Sequence, residues 1–400
     1  MTQTATHQVP RETATVDTDT YLQRAESLAP LIMSEAATIE RDRTISNVVL
    51  DALTENDLFW CLLPKDLGGG GISLVDALKV VEEISRADGS TGWAYMATSF
   101  ETAIIAGFIN ADSAREYFLG DRRAIVAGQL LPRHPGTKVD GGYQLHGNFS
   151  FASGSDFATV VGGGFIQADA AGNPLLDENG APQPIIALLP KEKVQILGNW
   201  DVWGLVGTGS SDYVIPDTFV PDKYTMATLS TSPVRPEAVY KLGPLLIGFS
   251  GHAGNALGIA TRALQEVVTI CTGKIRPNYP APVGESELFR LDFAKAEASL
   301  QAARLYVHHA VGQAEEAGAA GAVTAEHLAR ISQAVAWTQG VATDVVTFAH
   351  RWGGSQSIRN DSALGRCMRD ASIATQHLLV DPMTLVNATA GILPRYHKAP

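Results

Sequence analysis

The stretch RWGGSQSIRNDSALGRCMRDASIATQHLLVDP, from Arg351 to Pro382, places three kinds of chemistry close together. The pair Gly353–Gly354 allows a backbone to approach another group closely, although it serves equally well to end a helix. Arg369 and Asp370 supply fixed charge and, taken alone, read as an ion pair. His377 carries an imidazole whose ordinary pKa, near 6.5, suits it to move a proton at neutral pH. Elsewhere His252, His308 and His309 fall in helical segments and read as packing or surface residues, with His252 the one most open to a pocket role. Trp93, Trp203 and Phe249 are suited to wall an aromatic pocket, core packing being the alternative.

The elements that must position these residues follow from periodicity. From Tyr21 to Gly120 apolar residues recur at spacings of three and four, as in Leu22, Ala25, Leu28, Ile32 and Ala36, which predicts helices. After about Asp121 the pattern shortens. AIVAGQLLP, YQLHGNFSFASG, FATVVGGGFI, PIIALLP and DYVIPDTFVP are β-rich runs bounded by turn residues, and they predict antiparallel strands, with a hairpin through Gly141–Gly142. Long Ala-rich amphipathic segments then return and predict a bundle. The expected division is a disordered arm over 1–20, a helical domain over 21–120, a β domain over 121–230 and a helical bundle over 231–400. The fold class is mainly α with a β middle domain, α+β overall.

This order excludes several chemistries. GGGG at 68–71 lies between helices, so it is a loop and not the strand-to-helix fingerprint of a dinucleotide fold. No Walker motif, HExxH or GxSxG occurs. The 42 acidic and 30 basic residues leave a net charge of −12, which argues against nucleic acid or an anionic membrane as the main partner. Three separated cysteines suggest neither a disulfide framework nor a zinc site, so no metal is expected. The polar N-terminus has no apolar core of the kind a secretion signal needs, and no apolar run is long enough to span a bilayer. The expected location is the cytoplasm.

Four stretches in order resemble the acyl-CoA dehydrogenase superfamily over about residues 20 to 395. They are LLPKDLGGGGISLVDALKVVEEISRADGSTGWAY, NWDVWGLVGTGSSDYVIPDTFVP, RPNYPAPV, and the Gly-Gly and Arg-Asp of the last helices. The resemblance implies a helical domain, a β-barrel-like middle domain and a C-terminal four-helix bundle in a homotetramer. It also implies a flavin between the β domain and the bundle, with a neighbouring subunit closing the site. It assigns Ser153 and Gly154 to the flavin ring, Arg276 and Tyr279 to the cofactor diphosphate region, and Gly353 and Gly354 to the phosphates of the adjacent subunit's flavin.

Departures from the dehydrogenase pattern point to one branch. The segment after Arg369–Asp370 has no glutamate to serve as base, and His377 stands about where it would be. The helix near 250 also lacks an acid. STGWAY, GGYQLHGNFSFASGSDFA, VWGLVGTGSSDY and RDASIATQH are similar to two-component flavin-dependent monooxygenases. Such enzymes take reduced FAD, or FMN, from a separate NAD(P)H-flavin reductase, form a C4a-hydroperoxide with O2 and hydroxylate a small aromatic or heteroaromatic compound of phenol or indole type. The resemblance makes His377 the base that draws a proton from the substrate and Ser153 the hydrogen-bonding partner of the flavin. Glu101 stands where many relatives carry a histidine; it either accepts a hydrogen bond from a substrate N–H or O–H, or faces solvent. The alternatives are an acyl-CoA dehydrogenase with a displaced base and, more distantly, a non-catalytic flavin-binding protein.

Overall fold

The computed structural model describes residues 18–228 and 232–397. The expected arm over 1–20 lies outside the described residues, apart from its last three positions, which open the first helix.

Five helices come first: α1 (Thr18–Asp42), α2 (Asn47–Glu55), α3 (Leu74–Ala87), α4 (Gly89–Phe108) and α5 (Ala111–Phe118). The junction between α3 and α4 is set by Asp88. Its carboxylate accepts from the Thr91 amide and hydroxyl, both at 2.8 Å, and so satisfies orphan donors at the α4 N-terminus. Helix α4 is apolar nearly all round and most of it is buried, so it can serve as the wall on which other elements are built.

Strands β1 (Val126–Val139), β2 (Gly142–Ala152), β3 (Val160–Ala168), β4 (Pro184–Pro190), β5 (Gln195–Ile196), β6 (Ser211–Pro221) and β7 (Thr225–Ala227) form one sheet. Its order is β5-β6-β2-β1-β3-β4-β7. The expectation of antiparallel pairing fails at its centre, where β1 and β3 run parallel, Val126 opposite Val160 through Thr137 opposite Ala168. Period-two alternation places a residue on a face and carries no strand direction, so the mixed sheet was invisible to it. The hairpin turn is Asp140–Gly141, one residue earlier than expected: Gly142 already pairs with Val139, and Gly141 takes the positive φ of 72°.

The remaining helices are α6 (Pro244–Gly273), α7 (Glu287–Ala319), α8 (Ala325–Gly353), α9 (Ala363–Ala374) and α10 (Pro382–Ile392). Helix α6 packs on α3, α4, α8 and α9. Asn255 of α6 ties this packing to the α3–α4 corner, donating to the Ser85 hydroxyl and the Gly89 carbonyl, each at 3.0 Å. A single hydrophobic core runs through the helices before and after the sheet, and a second cluster, containing Phe149, Phe165 and Tyr213, sits within the sheet. Among the described residues no helix is long and apolar enough to cross a membrane.

Candidate active site

A cavity of about 400 Å³ opens where α4, α6, the sheet and the end of α9 meet. Trp93, Ala97, Phe100, Glu101 and Ile104 line it from one face of α4, at the spacings a helix requires. Gly248 and His252, four apart, line it from α6, and His377 from the turn after α9. The sheet contributes Gly128 to Leu131 of β1 and the end of β2 up to Ser153. Most of the lining is apolar, which is the usual character of a small-molecule site.

Three rings meet at one end. The His252 and His377 centroids lie 4.2 Å apart with planes tilted by 34°, and Trp93 sets its edge against them at 4.9 Å and 5.7 Å. His377 caps the turn Leu378–Val380, its Nδ1 accepting from the Leu379 amide at 3.3 Å. In the neutral ring the proton therefore sits on Nε2, which becomes a donor. Burial lowers the His377 pKa to about 4, and burial together with His377 pushes His252 well below the ordinary value. The expected imidazole titrating near neutrality is thus corrected: both rings are neutral at pH 7, because a cavity with an apolar lining disfavours the charged form.

Glu101 lies in the same cavity, which resolves the choice between pocket and solvent. Burial raises its carboxyl well above the ordinary range, because a cavity wall of this kind disfavours the charged form. Its Oε2 is buried without a partner among the described residues, as are Oε1 of Gln129 and Oγ1 of Thr228, which line the same cavity. Glu101 and Gln129 line the cavity from α4 and β1, two elements that pack together. The hydroxyl of Thr102 accepts from the Val126 amide at 2.9 Å, and the Tyr213 hydroxyl accepts from the Gln129 amide at 2.8 Å.

Ser153 is also present. Its hydroxyl accepts from Trp93 Nε1 at 3.2 Å and contacts the Ser210 hydroxyl at 2.8 Å. Gly154 supports it from behind: the glycine amide donates to the Thr208 carbonyl at 3.0 Å, and a Cβ there would lie 2.6 Å from Thr98 Cγ2, at a φ of 76°. Phe151, at the mouth, has a φ of 65°, is 63 % exposed and pairs edge-on with Trp200 at 6.2 Å. A β-bulge between Phe149 and Ala152 produces this re-aimed segment.

Two expected wall residues lie elsewhere. Trp203 is 58 % exposed and outside the cavity; Trp200 lines it instead, its indole N–H donating to the Leu205 carbonyl at 3.2 Å. Both belong to an irregular loop, where no period says which tryptophan turns inward. Phe249 is buried in the core, one residue from the Gly248–His252 face of α6 and so turned about 100° away from it. Arg369 does not pair with Asp370. Arg369 and Arg366 both bind Glu40 of α1, while Asp370 accepts from the Leu205 amide at 2.6 Å. One turn of helix carries both arginines to the same side, leaving the aspartate facing the loop.

The second group of expected residues collects away from the cavity. Arg276 Nη2 donates to the Trp352 carbonyl at 2.6 Å and Lys274 Nζ to the Gly353 carbonyl at 2.7 Å, capping the end of α8. The Arg276 guanidinium lies 5.9 Å from the Tyr279 ring. Gly354 takes a φ of 58°, which favours glycine, and a Cβ there would be 3.1 Å from Lys274 Nζ and 3.5 Å from Arg276 Nη2, so the lysine would have to shift slightly. Neither cation has a carboxylate partner among the described residues. These residues fit the phosphates of a flavin, and the cavity with its hydroxyl at Ser153 fits the ring.

Residues 24–119 match the acyl-CoA dehydrogenase N-terminal domain family, and 250–382 match the C-terminal domain family. The chain is 31 % identical over 354 residues to an indole-3-acetate monooxygenase of Pseudomonas putida, covering 88 % of each protein. This chain belongs to the acyl-CoA dehydrogenase superfamily, in its branch of flavin-dependent monooxygenases. The FADH2-dependent resorcinol hydroxylase oxygenase component of a Rhizobium species is 29 % identical, over 70 % of this chain and 69 % of that one. XiaF from Streptomyces, solved with FADH2 and glycerol, shares the fold with a TM-score of 0.86 at 20 % identity, over 96 % of this chain and 97 % of that one. The monooxygenase is an oxidoreductase that uses reduced flavin and O2, with a separate reductase supplying the flavin. The dehydrogenase alternative is not favoured. Its chemistry needs an ionised carboxylate, and burial disfavours that form of Glu101, the acid that lines this cavity.

Proposed function

We propose that the monooxygenase hydroxylates a small heteroaromatic ring of indole type, gripped through its ring N–H by Glu101 and Gln129. The carrying observation is the pair of buried polar oxygens, Glu101 Oε2 and Gln129 Oε1, left without partners among the described residues on a largely apolar cavity wall. Orphaned acceptors at depth cost about 1–3 kcal/mol each, which a substrate donor would recover. A flat ring fits between the α4 face and the sheet, and the Pseudomonas relative is named for an indole.

A bound reduced flavin would supply the chemistry that converts O2 into an electrophilic oxygen donor. The chain does the rest. Trp93, Phe100 and Leu131 keep water from the ring end of the cavity, where exclusion protects the reactive oxygen. His377, with its proton on Nε2, donates toward the reacting atoms and then takes a proton back, and its burial keeps the ring neutral between these steps. Ser153 holds the edge of the flavin ring. Lys274, Arg276 and the Gly353–Gly354 turn hold its phosphates, and two cations at one turn suit the diphosphate of FAD. Because they lie apart from the cavity, we assign them to the flavin of a neighbouring subunit in a homotetramer, and we place the enzyme in the cytoplasm, beside its reductase.

The test supplies reduced FAD and O2 with indole-3-acetate, indole, N-methylindole and resorcinol. Hydroxylation of the N–H indoles, with N-methylindole slower by about tenfold or more, is expected. Equal rates for indole and N-methylindole would sink the assignment of Glu101 and Gln129.

A further inference from the structure

The hydroxyl groups behind Ser153 form a chain whose direction can be read from its far end. Thr208 donates its single proton to the Leu205 carbonyl at 2.8 Å. In its 2.7 Å contact with Ser210, Thr208 must then accept, so Ser210 donates. The proton of Ser210 is now spent, so in the 2.8 Å contact between Ser210 and Ser153 it is Ser153 that donates. Trp93 Nε1, which can only donate, completes the series at Ser153. With its proton committed to Ser210 and one lone pair committed to Trp93, Ser153 offers the cavity a lone pair and no hydrogen.

The end of the chain is clamped. Leu205 sits at a φ of 52° and ψ of 35°, costly for a leucine, and is held from two sides. Its amide donates to Asp370 at 2.6 Å, and its carbonyl receives Thr208 and Trp200. Gly204 lies so close to α9 that a Cβ would fall 2.2 Å from the Arg369 carbonyl oxygen, and the Gly207 amide donates to Ser90 at 3.2 Å. Asp370 therefore anchors the carbonyl from which the whole chain takes its polarity.

We propose that this one-way chain, anchored by Asp370 and passing through Thr208 and Ser210, makes Ser153 an acceptor and thereby tunes the site to the reduced flavin. The chemistry is a match of donors. Reduced isoalloxazine carries N–H at N5, which an acceptor satisfies; in the oxidised ring N5 is a bare lone pair, which an acceptor repels. Asp370 and Ser210 are positioning residues, since they act through Ser153. The proposal rests on the assignment of Ser153 to the flavin ring made above.

The experiment compares dissociation constants for oxidised FAD and, anaerobically, for reduced FAD in the full-length protein. The wild type is expected to prefer reduced FAD. Ser210→Ala frees the Ser153 proton to turn toward the cavity, so oxidised FAD should tighten and the preference fall by about fivefold. Ser210→Thr keeps the hydroxyl and should restore it. Asp370→Leu should lower the preference in the same direction, and Asp370→Asn, which still offers Leu205 an acceptor, should preserve it. If Ser153→Ala changes neither constant, the assignment of Ser153 itself is wrong. If Ser153→Ala does weaken reduced FAD but Ser210→Ala leaves the ratio unaltered, Ser153 stands and the chain is overturned. An unaltered ratio in folded Asp370→Leu removes the anchor, and a ratio in Asp370→Asn as low as in Asp370→Leu does the same.

Discussion

His377 shows how far a side chain can depart from its reference behaviour when its surroundings are supplied. The residue type and place were legible in the sequence, but its protonation state was not, because desolvation depends on neighbours distant in the chain. In the fold His377 takes up a proton only near pH 4, whereas in the unfolded chain it does so near 6.5. Between those values the unfolded state binds more protons, so this residue makes stability fall as pH drops from about 6.5 toward 4. Asp370 acts with the opposite sign: burial and Asp88 push its pKa up to about 7, so its contribution is lost as pH rises through that value. The test is therefore a difference. Urea midpoints of His377→Gln should fall less than those of the wild type between pH 7 and 5; parallel curves would contradict the depressed pKa. In turnover, His377→Ala should still bind reduced FAD but yield less product per flavin oxidised, by about tenfold or more. Unchanged coupling would remove it from the mechanism. Glu101 separates stability from function in another way. Replacing an unpartnered buried acid by an apolar side chain of similar size is neutral or stabilising, so Glu101→Leu should keep or raise the melting temperature while losing activity on indoles. A destabilised variant would show that Glu101 has a structural partner.

At the scale of elements, what the sequence carried well was periodicity and what it carried poorly was everything set by loops. The α4 stripe from Trp93 to Ile104 is legible at helical spacing, and the same spacing places Glu101 on the face that carries Trp93. The loop from Trp200 to Ser210 has no period. Its turn depends on backbone contacts at Gly204, Leu205 and Gly207, and from residue types alone nothing distinguished Trp200 from Trp203 or joined Asp370 to Leu205 instead of Arg369. Strand direction was likewise silent, as β1 and β3 show. Gly354 ends α8 at a positive φ under two cations. Gly354→Ala should cost about 1–2 kcal/mol in stability and nudge the Lys274 ammonium, weakening FAD more than FMN. Equal weakening of both cofactors would argue against a diphosphate at this turn.

For the molecule as a whole, the layout of helices, sheet and helices places the cavity where three layers meet, with the turn of Lys274, Arg276 and Gly354 lying outside its lining. In our proposal the cavity and this turn serve the flavins of neighbouring subunits in a homotetramer. Dilution that dissociates the assembly should abolish FAD binding at the same concentration at which mass photometry records loss of the tetramer; a monomer that binds FAD fully would contradict it. The most direct measurement is a single turnover with pre-reduced FAD, an N–H indole and 18O2, followed by mass spectrometry. One 18O atom in each product molecule is expected. Unlabelled product, or consumption of oxygen to hydrogen peroxide alone with every N–H indole tried, would contradict the account of this cavity as an oxygen-inserting site.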